Sequence, residues 1–162
     1  MMLFLIIKEP YKIEEIGLDG NLIPEIELFN AKNYQIKENG VESIVISDRV
    51  ARYKDVDKLY IVNAQHKDKK GWIDTITSNE AILKDGTIHF MADSHYRRDD
   101  GIALDGEEIE YNVKDKILSS NRPFIFSQKQ SRTEGNSFVY QMKEGTISAN
   151  NIHSLIQVGK KK

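Results

Sequence analysis

The sequence predicts an all-β protein built of antiparallel strands. Three observations lead there. Apolar residues alternate with polar ones, as in Ile88, Phe90 and Ala92 or Ile109 and Tyr111, and period two marks a strand with one buried face. Short charged turns separate the runs: Lys84-Asp85-Gly86, Arg97-Arg98-Asp99-Asp100-Gly101 and Val113-Lys114-Asp115-Lys116. Each strand is therefore followed at once by another running back, which is a meander of hairpins. Helical spacing of apolar residues is absent, and β-branched and aromatic residues dominate the alternating runs.

Taken in order, Met1 to Ile7 (MMLFLII) is an apolar run ended by Lys8. It is far shorter than the roughly 20 residues a membrane helix needs, and on its own terms it reads as a first strand. Lys8 to Pro24 holds Gly17, Asp19 and Gly20 and reads as a linker. Alternation starts at Glu25 with Ile26, Leu28, Tyr34 and Ile36 and leads to Glu38-Asn39-Gly40, where Asn-Gly is a strong hairpin signal. Val41 to Tyr53 is a long strand and Leu59 to Ala64 returns. His66 to Gly71 is a solvated charged turn, and Trp72 to Leu83 the next strand. Trp72, just after the turn, is expected to cap an edge of the core.

Ile88 to Tyr96 and Ile102 to Tyr111 form a central hairpin. Ile102 and Leu104 differ in parity from Ile109 and Tyr111, so a bulge near Asp105-Gly106 is needed to bring all four to one face. Ile117 to Ser120 and Phe124 to Ser127 follow, and Pro123 is tolerated as the residue opening a strand. Gln128 to Gly135 is polar and reads as a loop. Phe138 and Tyr140 with Ile147 and Ala149 make the last hairpin, Ile152 to Val158 a last strand, and Gly159 to Lys162 a frayed basic tail. The expected domain runs from residue 25 to 158.

The central stretch repeats. Tyr53, Leu83, Tyr111 and Tyr140 are 30, 28 and 29 positions apart. Each is followed by a charged turn and then an aliphatic residue that opens the next strand. A hairpin-length period suggests stacked layers of sheet rather than a compact enzyme core.

Composition narrows the function. A net charge of −2 gives no field that points to nucleic acid, and zero cysteines exclude disulfides and thiolate zinc sites. His89 and His95 sit six apart on one expected strand, roughly 20 Å at the strand rise, so they cannot share a metal there. Ser94 and His95 are neighbours on a strand and point to opposite faces. Glu107-Glu108 and Asp99-Asp100 are adjacent acids at turns, not carboxylates converging across a cleft. No nucleophile elbow, phosphate loop or dinucleotide fingerprint occurs. The sequence predicts no catalytic residue, no metal and no cofactor.

What remains is an apolar face: Leu83, Ile88, Phe90, Leu104, Ile109, Tyr111, Ile117, Phe124, Phe126, Phe138, Tyr140 and Ile147. A one-faced antiparallel sheet must cover that face. It does so by closing as a sandwich, or it leaves a groove for an apolar ligand; periodicity does not separate the two.

The order of motifs resembles the lipopolysaccharide-export β-proteins. The motifs are Ala81-Ile82-Leu83-Lys84-Asp85-Gly86-Thr87-Ile88-His89-Phe90-Met91-Ala92, then Arg98-Asp99-Asp100-Gly101-Ile102-Ala103-Leu104, then Glu108-Ile109-Glu110-Tyr111. The leading Ile26-Glu27-Leu28-Phe29-Asn30, with Tyr34, Gly40 and Ala51-Arg52-Tyr53, is similar to the membrane-proximal LptC family rather than to the soluble LptA-like (OstA-like) one. The resemblance spans Glu25 to Val158. It implies an open, twisted antiparallel β-jellyroll whose apolar trough holds lipid A acyl chains, with the twelve residues above as lining candidates. It further implies a non-enzymatic carrier in the periplasm, associated with the inner membrane. Such a carrier takes lipopolysaccharide from an inner-membrane ABC transporter at its N-terminal edge (Glu25 to Ile36). It passes the lipid to an LptA-like protein at its C-terminal edge (Ile147 to Val158). The family carries an N-terminal membrane helix, of which Met1 to Ile7 is the expected remnant. The competing expectation is a ligand-free β-sandwich adaptor that joins partners by edge-strand pairing.

Overall fold

A computed structural model of the chain describes residues 4–6, 23–38, 40–54 and 56–156. They form fifteen strands in one antiparallel sheet and, among the described residues, no helix. The strands are β1 (Phe4–Ile6), β2 (Ile26–Lys37), β3 (Gly40–Tyr53), β4 (Val56–Lys67), β5 (Ile73–Lys84), β6 (Thr87–Met91), β7 (Ser94–Arg98) and β8 (Ile102–Gly106). They continue with β9 (Ile109–Asn112), β10 (Ile117–Ser120), β11 (Phe124–Gln128), β12 (Ser131–Gly135), β13 (Ser137–Gln141), β14 (Thr146–Asn150) and β15 (His153–Ile156). The sheet curls into the trough of an open β-jellyroll.

The curl has a local cause. The four long strands β2 to β5 each break their alternation once, along one line across the sheet. In β5, Asp74, Ile76 and Ser78 are buried, then two exposed residues intervene, then Ala81 is buried. The ladder omits Asn30 and Asp48, which face each other, and likewise Ile61 and Asn79. Asn30 and Ile61 take left-handed φ values of 50° and 51°. Left-handed backbone at Asn30 of β2 and Ile61 of β4, beside the unpaired Asp48 and Asn79 of β3 and β5, turns the sheet through a corner and returns the apolar set to the concave side. Leu28, Val50, Leu59 and Ala81 then line one wall, and Asn33, Val45, Ala64 and Ile76 the other.

Beyond β5 the corner becomes a full break. β6 pairs with the Glu80–Lys84 end of β5, and β7 with the Asp74–Thr77 end. β6 runs into β7 through Ala92 and Asp93, both at positive φ. β8 runs into β9, β10 into β11, β12 into β13, and β14 into β15 in the same way. Each such pair is one long strand bent at the corner. Two walls result: β5, β6, β9, β10, β13 and β14 form one, and β5, β7, β8, β11, β12 and β15 the other. The repeat of about 29 residues is thus two bent strands, out and back.

Buried serines mend the backbone at the corner. The Ser47 hydroxyl lies 2.7 Å from the carbonyls of both Arg49 and Tyr60 and accepts the Tyr60 amide at 3.1 Å. Ser78 donates to the Glu80 carbonyl at 2.8 Å. Backbone groups that lose ladder partners at the bend are paired by these side chains, as buried polar groups must be.

Several sequence expectations are refined. Gln128 to Gly135 is not all loop: Ser131–Gly135 is strand β12, held between β11 and β15. Its polar composition hid it, because Arg132 and Glu134 face water and pair with each other at 2.8 Å. Ile88 to Tyr96 and Ile102 to Tyr111 are each two strands. The parity change expected near Asp105-Gly106 is made at Glu107-Glu108, where β8 passes into β9. The last strand is His153–Ile156. Residues 157 to 162 and most of the linker, 7 to 22, lie outside the described residues. Phe4–Ile6 is a strand, paired with Lys32–Tyr34 on the outer edge of β2.

Candidate functional site

The concave face of the curled sheet differs between its two halves. In the N-terminal half, among the described residues, no element packs over the inner walls of β2, β3 and β4, and a cavity of about 270 Å³ opens there. Leu28, Val50 and Leu59 form one side, Val45 the other, and Val62 and Ser47 the floor at the corner. Leu83, Ile88 and Phe90 close its inner end. The lining is mostly apolar because every inward position on these strands except those near the lips is aliphatic or small. At the rim Arg52 donates two hydrogen bonds to Asp57, at 2.6 and 2.7 Å, and Asp57 holds the guanidinium protonated more firmly than usual.

In the C-terminal half the two walls meet. Phe90, Tyr96, Leu104, Ile109, Leu118 and Tyr140 are fully buried in one contiguous core. Near the corner Phe124 and Phe138 touch edge to face, ring centres 4.9 Å apart. At the mouth Tyr96 and Tyr140 pack with ring centres 5.9 Å apart. There Arg98 of β7 donates to the Tyr140 hydroxyl at 3.0 Å, Tyr96 donates to Asp74 at 2.5 Å, and Asp100 holds Arg98 with two hydrogen bonds at 2.6 and 2.8 Å.

The electrostatics of this mouth follow from burial and pairing. Burial, with Asp74 as acceptor, pushes the Tyr96 hydroxyl far above its ordinary range. Burial raises Tyr140 as well. Asp100 raises Arg98, and Arg98 in turn holds the Asp100 carboxyl low. Burial lowers the Lys116 ammonium, which lies over the Tyr111 ring at 5.8 Å. The Tyr111 hydroxyl is buried and, among the described residues, has no hydrogen-bond partner, and burial pushes its pKa up.

Of the twelve predicted lining residues, Leu83, Ile88 and Phe90 reach the open cavity. Leu104, Ile109, Tyr111, Phe124, Phe138 and Tyr140 lie within the closed core, and Phe126 and Ile147 pack against it. Ile117 pairs with Asn112 and Gln141, on the face opposite to Leu118, which fills the core instead. The N-terminal contributors Leu28, Val45, Val50, Leu59 and Val62 were readable as alternating apolar positions. No sequence signal marks them as the uncovered ones.

Among the described residues no three His, Asp or Glu side chains converge on a metal position. Ser43, His66 and Asp74 share one register row, yet Ser43 donates to Gln35 at 3.1 Å rather than to His66. A second, wider groove of about 670 Å³ runs along the outside of the corner. Its lining is mixed, with Asp93, Asp105, Glu107 and Glu134 beside Pro123, Phe124 and Ile125.

A family model described as lipopolysaccharide-assembly, LptC-related matches residues 21–150, well over half of the chain. No curated protein matches it.

Proposed function

The chain belongs to the LptC family, whose role lies in lipopolysaccharide transport, and on that premise we propose that it acts as a carrier of lipopolysaccharide across the periplasm, holding the acyl chains in the open trough of β2 to β6. One observation supports this reading: among the described residues, a mostly apolar cavity of about 270 Å³ lies between β2 and β6, beside a C-terminal half packed into one core. Burial of a methylene stabilises by about 0.8 kcal/mol, so a few methylenes seated against Leu28, Val50 and Ile88 offset much of the cost of carrying a lipid through water. No covalent step is needed. The sugar and phosphate part stays at the lips, where Lys32 of the cavity lining supplies positive charge.

Lipid enters from the inner-membrane ABC transporter at the β2 edge, which β1 pairs with at Lys32–Tyr34 and leaves to strand addition over the Ile26–Ala31 portion, and it leaves at the β14 and β15 edge toward an LptA-like protein. Among the described residues no helix is long and apolar enough to cross a membrane. Val50 is half-buried on the trough wall, so Val50→Glu places a charge in the cavity without emptying the core. The folded variant should lose lipopolysaccharide binding; binding at the wild-type level contradicts the carrier reading.

The closed core of the C-terminal half favours one second reading, a ligand-free adaptor that works through its edges alone. In that case Val50→Glu leaves partner pairing and transport untouched.

A further inference from the structure

The open cavity and the closed core are one continuous inner surface, divided at Phe90. Leu83, Ile88 and Phe90 line the cavity and also pack against or within the core. In register, Phe90 continues into Ile109, and Ile88 into Tyr111, then Leu118, then Tyr140. A lipid held between β2 and β6 therefore has an apolar path toward the C-terminal edge only where the walls separate. The walls are held together differently at their two ends. Next to the corner, Phe124 meets Phe138, where the chain joins the walls covalently through Asn136. At the mouth, Tyr140 of one wall meets Tyr96 and Arg98 of the other through ring and hydrogen-bond contacts.

We propose that the Arg98–Tyr140 contact is a clasp, and that its release lets an acyl chain pass from the open half of the trough into the half that is closed in this structure. The corner is the hinge, since Phe124, Phe138 and the bent strands remain joined there. The closed state contains its own bias toward opening: the Tyr111 hydroxyl, two strand pairings from Tyr140 through Leu118, is buried without a hydrogen-bond partner among the described residues, and that costs stability only while the walls are shut. The acyl chain replaces core contacts with contacts of its own, so opening exposes little apolar surface to water.

The proposal rests on the carrier reading, and its test separates the two. The chain has no cysteine, so Arg98→Cys and Tyr140→Cys together give a unique pair that a thiol-cleavable bifunctional reagent can tether across the mouth. A photoreactive amino acid is placed at Val50, in the open half, or at Phe126, which packs against the core, and the full chain is incubated with purified lipopolysaccharide. Labelling from Val50 should be the same whether the tether is intact or cleaved. Labelling from Phe126 should be low when tethered and rise severalfold on cleavage. Tyr140→Phe, which removes only the hydroxyl that Arg98 contacts, should raise Phe126 labelling without any reagent. Equal Phe126 labelling in tethered, cleaved and Tyr140→Phe proteins, with Val50 labelled throughout, overturns the clasp and leaves the carrier intact. Absence of labelling at Val50 in folded protein overturns the carrier reading and the clasp with it.

Discussion

Ser47 of β3 and Tyr60 of β4 are joined twice: the serine hydroxyl lies 2.7 Å from the Tyr60 carbonyl and accepts the Tyr60 amide at 3.1 Å. This pair sits at the corner where the sheet bends, with Ser47 on the floor of the cavity. Ser47→Ala leaves the amide or the carbonyl without a partner in a site that is 1% exposed. We expect a loss of about 1–3 kcal/mol in urea unfolding. A loss near zero means that the corner backbone does not depend on the serine.

Ile61 occupies the same line at φ 51° with its side chain 56% exposed. A β-branched residue in left-handed backbone is strained, and little packing is lost by removing it. Asn30 holds the equivalent place in β2 at φ 50°. Ile61→Asn should therefore raise stability by about 1 kcal/mol, read as a higher urea midpoint at unchanged slope. A lower midpoint removes strain from the account of the corner.

Gly135 ends β12 against the Phe124 ring. A Cβ there would stand 2.6 Å from Phe124 Cε1 and 3.0 Å from the Asn150 carbonyl oxygen. The ring is fixed by Phe138, so it cannot move freely. Gly135→Ala should cost about 1–3 kcal/mol by overpacking. A neutral result shows that the hinge side of the core is looser than its geometry indicates.

His95 stands between Asp105, 2.6 Å from Nδ1, and Asp93, 3.2 Å from Nε2. Asp105 first, and Asp93 with it, raise its pKa above 6.5. A raised folded-state value contributes stability that is fully present below the unfolded pKa and lost as pH rises through the folded one. The stability difference between wild type and His95→Gln should be larger near pH 5 than near pH 9, roughly either side of the histidine range. Partial exposure and salt screening keep the difference small. A gap that widens toward alkaline pH contradicts the pairing.

Much of this architecture is legible in the sequence and some is not. Alternation and charged turns locate the long strands, because Ile26, Val45 or Ile76 must face one way while their neighbours face the other. The spacing of Tyr53, Leu83, Tyr111 and Tyr140 carries the out-and-back unit. The corner escapes in the long strands because its polar residues sit inside continuous strand patterns with no proline or glycine to mark a break, as at Asn30, Asp48 and Asn79. Its trace is a small residue before Asn or Asp, as in Ser47-Asp48, Ser78-Asn79, Ala92-Asp93 and Gly135-Asn136. Strand β12 escapes because both its neighbours are strands and its outward residues are charged. The location of the cavity escapes for a deeper reason. Alternation shows that Val50 and Leu104 both face inward, but only the meeting of two walls covers Leu104 and leaves Val50 open.

Photocross-linking of lipopolysaccharide from Val50 and Ile88, with Lys69 on the exposed turn as control, tests the central claim most directly. The trough account predicts labelling at Val50 and Ile88 and none at Lys69. Folded protein that labels at Lys69 alone, or at none of the three, would contradict it.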